Sequence, residues 1–218
     1  IASLTGWMGQ PKGPLVRHYD ATAMALANNI SATDMTSVTN PLAVSGATAS
    51  RQTTGGVDNA AYWRYTQTAI SRLPSSSGVS KTFSGLTSGQ YYTVVIWMRS
   101  DRIRHVTVNI SSTQSLGAQI ITEQWLPYVY TLKATAASQY MAVQFGRQIG
   151  RLEVGRWVIL PGRAAGISRD FDRALVLANP TPDALTFTLP DGATYKRLTG
   201  TQDPTINNGD PVSGSIVV

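Results

Sequence analysis

The chain has 218 residues, of which 42% are hydrophobic and only 14% are charged, and its formal net charge at pH 7 is +6. It contains no cysteine, which excludes a disulfide framework, a thiolate metal site and a cysteine nucleophile. No apolar run approaches the roughly 20 residues of a transmembrane helix, so we expect no membrane span. Because residue 1 is Ile1, we expect a processed or excised chain.

Short strands are predicted along most of the sequence. Residues 18–42 are polar, small and weakly periodic, and an alternating pattern begins at residue 43. Gly, Ser, Asp and Pro clusters then separate nine segments with period-2 alternation, which predicts an all-β, two-sheet sandwich. The nine predicted strands are 43–53, 60–70, 79–86, 91–100, 104–112, 118–125, 128–135, 140–148 and 150–160.

A second, smaller β unit is predicted after residue 166. The segments "RALVLANPT", "ALTFTLP", "ATYKRLTG" and "GSIVV" read as three or four further strands, and a change in composition places the boundary near residues 163–166. With fewer than about 60 residues this unit buries little surface alone, so it needs a partner.

Alternation assigns the faces of the predicted strands. Tyr92, Val94, Ile96 and Met98 share one face of strand 91–100, which we assign to the core. Two tryptophans are also assigned to the core. Trp125 shares the parity of the run Tyr128, Tyr130 and Leu132 once the bend at Pro127 is allowed for, and Trp157 lies in the apolar closing strand. The same alternation turns five more side chains inward, namely Val106, Val108, Ile110, Val143 and Phe145.

The outward side chains mix aromatic rings with hydrogen-bonding groups. A pyranose has an apolar face that stacks on a ring and hydroxyl groups that pair with amide or guanidinium groups. This mixture predicts a carbohydrate-binding face, although an aromatic residue in a sandwich strand is more often part of the core than of a ligand site. The candidate site residues are Trp97, Arg99, Trp63, Tyr62, His105, Asn109, Gln144 and Arg147.

Arginine supplies most of the positive charge. Arg99, Arg102 and Arg104 cluster around one predicted turn, and Arg147 and Arg151 around another. The clusters fit either a solvated cationic rim or bidentate contacts to carboxylated or sulfated glycans. Without a Lys/Arg block or a nucleic-acid motif, we expect no nucleic-acid partner, whereas an acidic polysaccharide would use the same charges.

No catalytic motif is recognisable, so the chain is predicted not to be an enzyme. The two histidines, His18 and His105, are not paired with a nucleophile in any known motif, and no paired carboxylates of the glycosidase type stand out among 12 acidic residues. We expect no cofactor. A structural calcium ion held by turn carboxylates is compatible with the loops, but no spacing identifies its site.

The segment 43–162 resembles the jelly-roll carbohydrate-binding modules of families 4 and 9. The resemblance rests on "YTVVIWMR", "VTVNI", "EQWLPYVYTL" and the closing "FG…LEV". It implies a polysaccharide-binding sandwich. In that family the last strand usually carries paired aspartates, where this chain has Gly155 and Arg156.

The two ends of the chain resemble the C-terminal β region of a group of predicted glycoside hydrolases. "GWMGQPKGPLVR" and "ISRDFDRALVLANPTPDALTFTLPDG" normally lie close together there, whereas here about 150 residues separate them. The resemblance implies a jelly roll, residues 18–166, inserted into a small β domain formed by residues 1–17 and 167–218. It also implies an upstream catalytic domain, absent from this chain, and a secreted or cell-surface, bacterial-type extracellular location.

Two other functions remain open from the sequence. A structural role as a subunit of a surface filament, an adhesin or a capsid decoration fits the same β-sandwich, because fold alone does not determine function. A hydrolase or lyase would require a carboxylate pair, or a Tyr/His pair, within reach of a cleft.

Overall fold

β-Strands dominate the part of the chain that the structure describes, which confirms the predicted all-β class. The computed structural model describes residues 8–12, 15–18, 35, 39–40, 42–110, 115–181, 184–190, 192–201 and 203–218. The chain divides into two units, residues 20–164 and residues 1–19 together with 165–218. Among these residues, no helix combines the length and the apolar character that a bilayer crossing requires.

The strands are short and follow one another closely. The first eleven are β1 (Val16–His18), β2 (Ala43–Ser45), β3 (Thr48–Gln52), β4 (Tyr62–Gln67), β5 (Gly78–Ser84), β6 (Tyr91–Ser100), β7 (Arg104–Asn109), β8 (Ser115–Ile121), β9 (Leu126–Lys133), β10 (Ser138–Gln144) and β11 (Gly150–Pro161). The others are β12 (Gly166–Asp170), β13 (Leu175–Ala178), β14 (Thr186–Thr188), β15 (Tyr195–Lys196), β16 (Pro211–Val212) and β17 (Ser215–Val217). Two 3-10 turns are Val57–Asn59 and Pro74–Ser76.

The prediction of one continuous strand over 43–53 is wrong, because β2 and β3 are separated by a tight turn at Gly46. This residue has φ +60°, and a Cβ atom there would lie 1.8 Å from the backbone oxygen of Ser76. Only glycine fits this turn without a clash. The turn transfers the chain from one sheet to the other.

Residues 20–164 contain two five-stranded antiparallel sheets. Sheet I has the order β2-β5-β10-β7-β8, and sheet II has the order β3-β4-β11-β6-β9. From β4 to β11, the chain changes sheet at every connection except the one between β7 and β8. Such repeated crossing between two packed sheets is the topology of a jelly roll, as predicted.

One apolar core lies between the two sheets. The inward-facing residues expected on β6, β7 and β10 are all buried, which confirms the faces assigned to those strands. Trp157 is also confirmed as a core residue, with 0% exposure and a ring centroid 5.7 Å from that of Phe83. Truncation of an aromatic side chain in such a core costs about 3–5 kcal/mol.

A buried guanidinium group closes one end of the sandwich. Arg104, with 0% exposure, donates hydrogen bonds to Ser100 Oγ at 3.1 Å and to the backbone oxygens of Gln148 at 2.7 Å and Ile149 at 2.9 Å. Its terminal nitrogen lies 3.7 Å from Asp101. Burial lowers the pKa of Arg104, and the Asp101 carboxylate opposes this effect. Arg104 is therefore a structural residue, and its assignment to a solvated rim or a glycan contact is wrong.

The smaller unit joins the two ends of the chain. β1 pairs antiparallel with β12, with Val16 opposite Ser168 and His18 opposite Gly166. β13 completes this three-stranded sheet, and β14-β17 and β15-β16 form two-stranded sheets. Further along, the N–H of Arg173 donates to the backbone oxygen of Met8 at 3.0 Å. Strand pairing and backbone hydrogen bonds thus join the N-terminal stretch to the C-terminal stretch.

His18 is partly buried in this smaller unit. Its Nε2 atom lies 2.6 Å from Ser168 Oγ, and its ring meets the buried Phe187 in an edge-on arrangement with centroids 5.1 Å apart. Burial lowers the pKa of His18 from its ordinary value of 6.5. The folded unit therefore favours the neutral imidazole.

We expect His18 to titrate below pH 6.5 in the folded protein. Since the unfolded chain binds this proton more readily, the contribution of His18 to stability is fully present above pH 6.5 and is lost as the pH falls through the folded-state pKa. The NMR titration of the imidazole Cε1 proton in a His105→Gln variant, which leaves one histidine, would measure it. A midpoint at or above 6.5 would contradict the burial argument.

Candidate functional site

The outer face of sheet II carries charged and aromatic side chains on three adjacent strands. These side chains alternate with residues of the core, so the same pleat that buries Tyr65 and Met98 turns them away from it. They are Tyr62 and Arg64 of β4, Trp97 and Arg99 of β6, and Glu153 and Arg156 of β11.

Glu153 lies at the centre of this face because β11 lies between β4 and β6. The register places it directly opposite Arg64 and Arg99. Glu153 Oε1 accepts a hydrogen bond from Arg64 Nε at 2.7 Å, and Oε2 accepts one from Arg99 Nε. Both arginines also donate to the Tyr62 hydroxyl oxygen, at 3.0 and 3.2 Å. One carboxylate thus fixes two guanidinium groups.

The carboxylate is more deeply buried than its partners. The Glu153 side chain is 6% exposed, whereas those of Arg64 and Arg99 are 25% and 27% exposed. Burial lowers the pKa of both arginines, but the hydrogen bonds and the charge of Glu153 outweigh it and raise the pKa overall. Both guanidinium groups therefore keep their charge and remain partly accessible from solvent.

Trp125 belongs to this face, and the prediction that it lies in the core is wrong. Its ring is partly exposed, lies 4.8 Å from the Arg99 guanidinium carbon and meets the Tyr62 ring edge-on at 5.3 Å. Gly155 lies beneath it, where a Cβ atom would come 3.3 Å from the indole. The same Cβ atom would come 3.0 Å from Val57 Cγ2, so a side chain at Gly155 would crowd both Val57 and the indole.

A turn between β3 and β4 borders the same face. Its backbone is held in an uncommon conformation, with φ of 53° at Asp58 and 59° at Asn59. Asp58 Oδ2 accepts a hydrogen bond from Arg156 at 2.6 Å, and the backbone oxygen of Gly55 accepts one from Trp125 Nε1 at 3.0 Å. These contacts connect the turn to β11 and to the indole.

Three of the eight predicted site residues share this face. Trp97 is partly exposed and pairs with Arg156 on β11 and with Pro127 on β9. Arg99 and Tyr62 belong to the Glu153 network, although Tyr62 is only 3% exposed. The outward orientation predicted for Trp97, Arg99 and Tyr62 is observed.

The other five predicted residues lie elsewhere, so the prediction of one common face is wrong. Trp63 follows Tyr62 on β4, points the opposite way and is 6% exposed within the core. His105 and Asn109 are on β7 and Gln144 is on β10, and both strands belong to sheet I, whose outer face lies across the core. Arg147 is in the exposed loop after β10.

Four residues of the face were missed in the sequence, namely Arg64, Trp125, Glu153 and Arg156. Arg64 has the same parity as Tyr62, so alternation alone could have included it. A glutamate within a strand carries no special signal until its neighbours are known. Among the described residues, no group of three His, Asp or Glu side chains is placed to hold a metal ion.

Comparisons with known proteins identify the fold. No family model and no curated protein matches the sequence. The CBM22-1 xylan-binding domain of Xyn10C from Paenibacillus barcinonensis is a solved structure with a TM-score of 0.51 and 11% identity, covering 66% of this chain and 97% of that domain. This similarity shows that the chain shares the β-sandwich fold of carbohydrate-binding modules.

Other carbohydrate-binding modules are more distantly similar. The second N-terminal cellulose-binding domain of Cellulomonas fimi β-1,4-glucanase C has a TM-score of 0.44 and 12% identity, covering 66% of this chain and 99% of that domain. The module CBM6cm-2 of Cellvibrio mixtus lichenase 5A, in complex with cellotriose, has a TM-score of 0.42 and 15% identity, covering 64% of this chain and 100% of that module.

Proposed function

We propose that residues 20–164 form a carbohydrate-binding module that holds a polysaccharide on the outer face of sheet II. The observation that carries the proposal is the presence of two partly exposed indoles, Trp97 and Trp125, beside the guanidinium groups of Arg64 and Arg99. The fold also supports the proposal, because it is similar to that of a xylan-binding domain. Indole rings supply stacking surface, and guanidinium groups supply directed hydrogen bonds.

The two arginines retain donors for a ligand. A guanidinium group has five N–H donors, and the structure assigns two of them in each arginine, one to Glu153 and one to Tyr62. Because the groups are held by Glu153 before a ligand arrives, little side-chain entropy is lost on binding. This arrangement suits sugar hydroxyls and favours glycans that carry carboxylate or sulfate groups.

The proposed module is non-catalytic. Both oxygens of Glu153 already pair with arginine side chains of the neighbouring strands, so this carboxylate has a structural role in the face. Polysaccharide binding without turnover fits an accessory domain of a secreted glycoside hydrolase. The resemblance of the chain ends to the C-terminal β region of such enzymes, and the pairing of β1 with β12, support insertion of the module into that region.

Affinity electrophoresis against neutral and acidic polysaccharides tests this function. We expect retardation in at least one glycan and a loss of affinity of about tenfold or more in Trp97→Ala, because truncation removes the ring that stacks on a sugar. Tyr140→Ala is the matched control. Tyr140 is 49% exposed on the outer face of sheet I and its loss should leave retardation unchanged.

Three results would contradict the proposal. Equal loss of affinity in both variants would place the binding surface elsewhere. Absence of retardation in every glycan, with polymers forming as protein concentration rises, would indicate a structural subunit. Release of soluble products from a polysaccharide would indicate an enzyme.

A further inference from the structure

Three loops meet at one end of the sandwich formed by residues 20–164. Gln67 at the end of β4 pairs with Gly150 at the start of β11, and Gln144 at the end of β10 pairs with Gly78 at the start of β5. Ser100 at the end of β6 pairs with Leu152. The loops 68–77, 101–103 and 145–149 therefore lie side by side, and we call them the loop end.

Hydrogen bonds hold these loops together. Gly146 accepts from the backbone N–H of Ser71 at 3.1 Å and donates to Pro74 at 2.9 Å. The buried guanidinium of Arg104 binds the backbone oxygens of Gln148 and Ile149. The loop end is thus a joined surface whose parts keep their relative positions.

Large aliphatic side chains project from each of the three loops. Ile70 is 69% exposed and Leu73 is 64% exposed on the first loop, while Ile103 and Ile149 on the other two are 63% and 44% exposed. Single exposed aliphatic residues are ordinary, but grouping on adjoining loops is typical of a surface that contacts an apolar phase or partner.

The same loops are positively charged. Arg72, Arg102 and Arg147 are exposed, and Arg151 follows directly on β11. Asp101, the carboxylate within these loops, accepts the N–H of Arg151 at 3.0 Å and faces Arg102 at 3.6 Å. Within the loop end, three arginines and one carboxylate leave a net charge of +2.

We propose that the loop end binds the surface of an anionic lipid membrane. Its aliphatic side chains enter the boundary between headgroups and acyl chains, and the arginines contact lipid phosphates around them. Long arginine side chains suit this position because their stems are apolar and their ends are charged. The three loops expose no aromatic ring that could stack on a sugar, so the surface is distinct from the Trp97 face.

Vesicle co-sedimentation of the full chain tests this proposal. We expect binding to phosphatidylcholine vesicles that contain about a third phosphatidylglycerol, weaker binding as salt is added, and none to phosphatidylcholine alone. Ile70→Ser/Leu73→Ser should reduce binding about tenfold or more, since the inserted apolar area is removed. Arg72→Ser/Arg147→Ser should reduce it similarly.

Leu198→Ser/Ile206→Ser is the control, since these residues are 68% and 57% exposed in the smaller unit. It should bind vesicles as the parent chain does. Unchanged binding in Ile70→Ser/Leu73→Ser would show electrostatic adsorption alone and overturn the proposal, as would absence of binding to anionic vesicles at low ionic strength. Loss of polysaccharide retardation in Arg72→Ser/Arg147→Ser, with retardation kept in Trp97→Ala, would make the loop end a glycan site instead.

Discussion

Arg104→Met is expected to lower the free energy of unfolding of residues 20–164 by about 4 kcal/mol. Methionine occupies much of the same volume but donates no hydrogen bond, so the backbone oxygens of Gln148 and Ile149 lose their buried donor. Burial raises the pKa of Asp101, but the hydrogen bond from the N–H of Arg151 and the charges of Arg102 and Arg104 lower it by more. The pKa therefore lies below its ordinary value, and this carboxyl group remains ionised. The substitution removes one of its counter-charges.

Urea unfolding followed by tryptophan fluorescence would measure this loss. Arg102→Met is the matched control, because Arg102 is two residues away, faces the same carboxylate at 3.6 Å and has a side chain that is 60% exposed. Exposed ion pairs contribute little, so its effect should stay within about 0.5 kcal/mol. Equal effects of the two substitutions would show that the buried position of Arg104 is not what stabilises the fold.

Glu153→Gln is expected to cost about 2 kcal/mol in unfolding free energy and to weaken polysaccharide binding. The amide can accept one hydrogen bond but leaves Arg64 and Arg99 without a counter-charge on adjacent strands. Because both side chains are about a quarter exposed, solvent screens part of their repulsion, and the cost stays below the roughly 3–5 kcal/mol of a fully buried broken pair.

A combined substitution separates charge from packing at this position. Arg99→Met/Glu153→Leu should be less destabilising than Glu153→Leu alone, because it leaves one arginine, Arg64, without a counter-charge instead of two. Glu123→Gln, at an exposed position outside the network, serves as the control and should change neither stability nor retardation. If Glu153→Gln matched Glu123→Gln, the ion pairs would not organise the face.

The sequence predicted which side of a strand faces the core but not which sheet a strand joins. Alternation placed Val94 and Ile96 inside and Trp97 outside, because side-chain direction is a local property. His105 and Gln144 also point outward, yet β7 and β10 pair within sheet I. Strand partners are chosen by contacts between distant segments, and local patterns do not encode them.

Two further errors have separate physical causes. Trp125 was assigned to the core by extending the parity of Tyr128 and Tyr130 back across Pro127, but it lies in the connection after β8, where alternation sets no direction. Arginine side chains are usually exposed. Arg104 is buried because backbone oxygens of a distant loop accept hydrogen bonds from its guanidinium group. Neither the loop position nor the bonding partners could be read from neighbouring residues.

The β-bulge in β11 has a consequence for how such a domain can diversify. The register shifts between Val154 and Arg156, and Gly155 is the residue without a place in the ladder. Core positions before the bulge are even-numbered, as in Leu152, and those after it are odd-numbered, as in Trp157. Removing Gly155 would restore regular alternation along β11 and keep every core side chain inside. It would also remove the residue over which the Trp125 indole packs. Deletion of a single codon would thus change the outer face of sheet II and leave the core between the sheets unchanged.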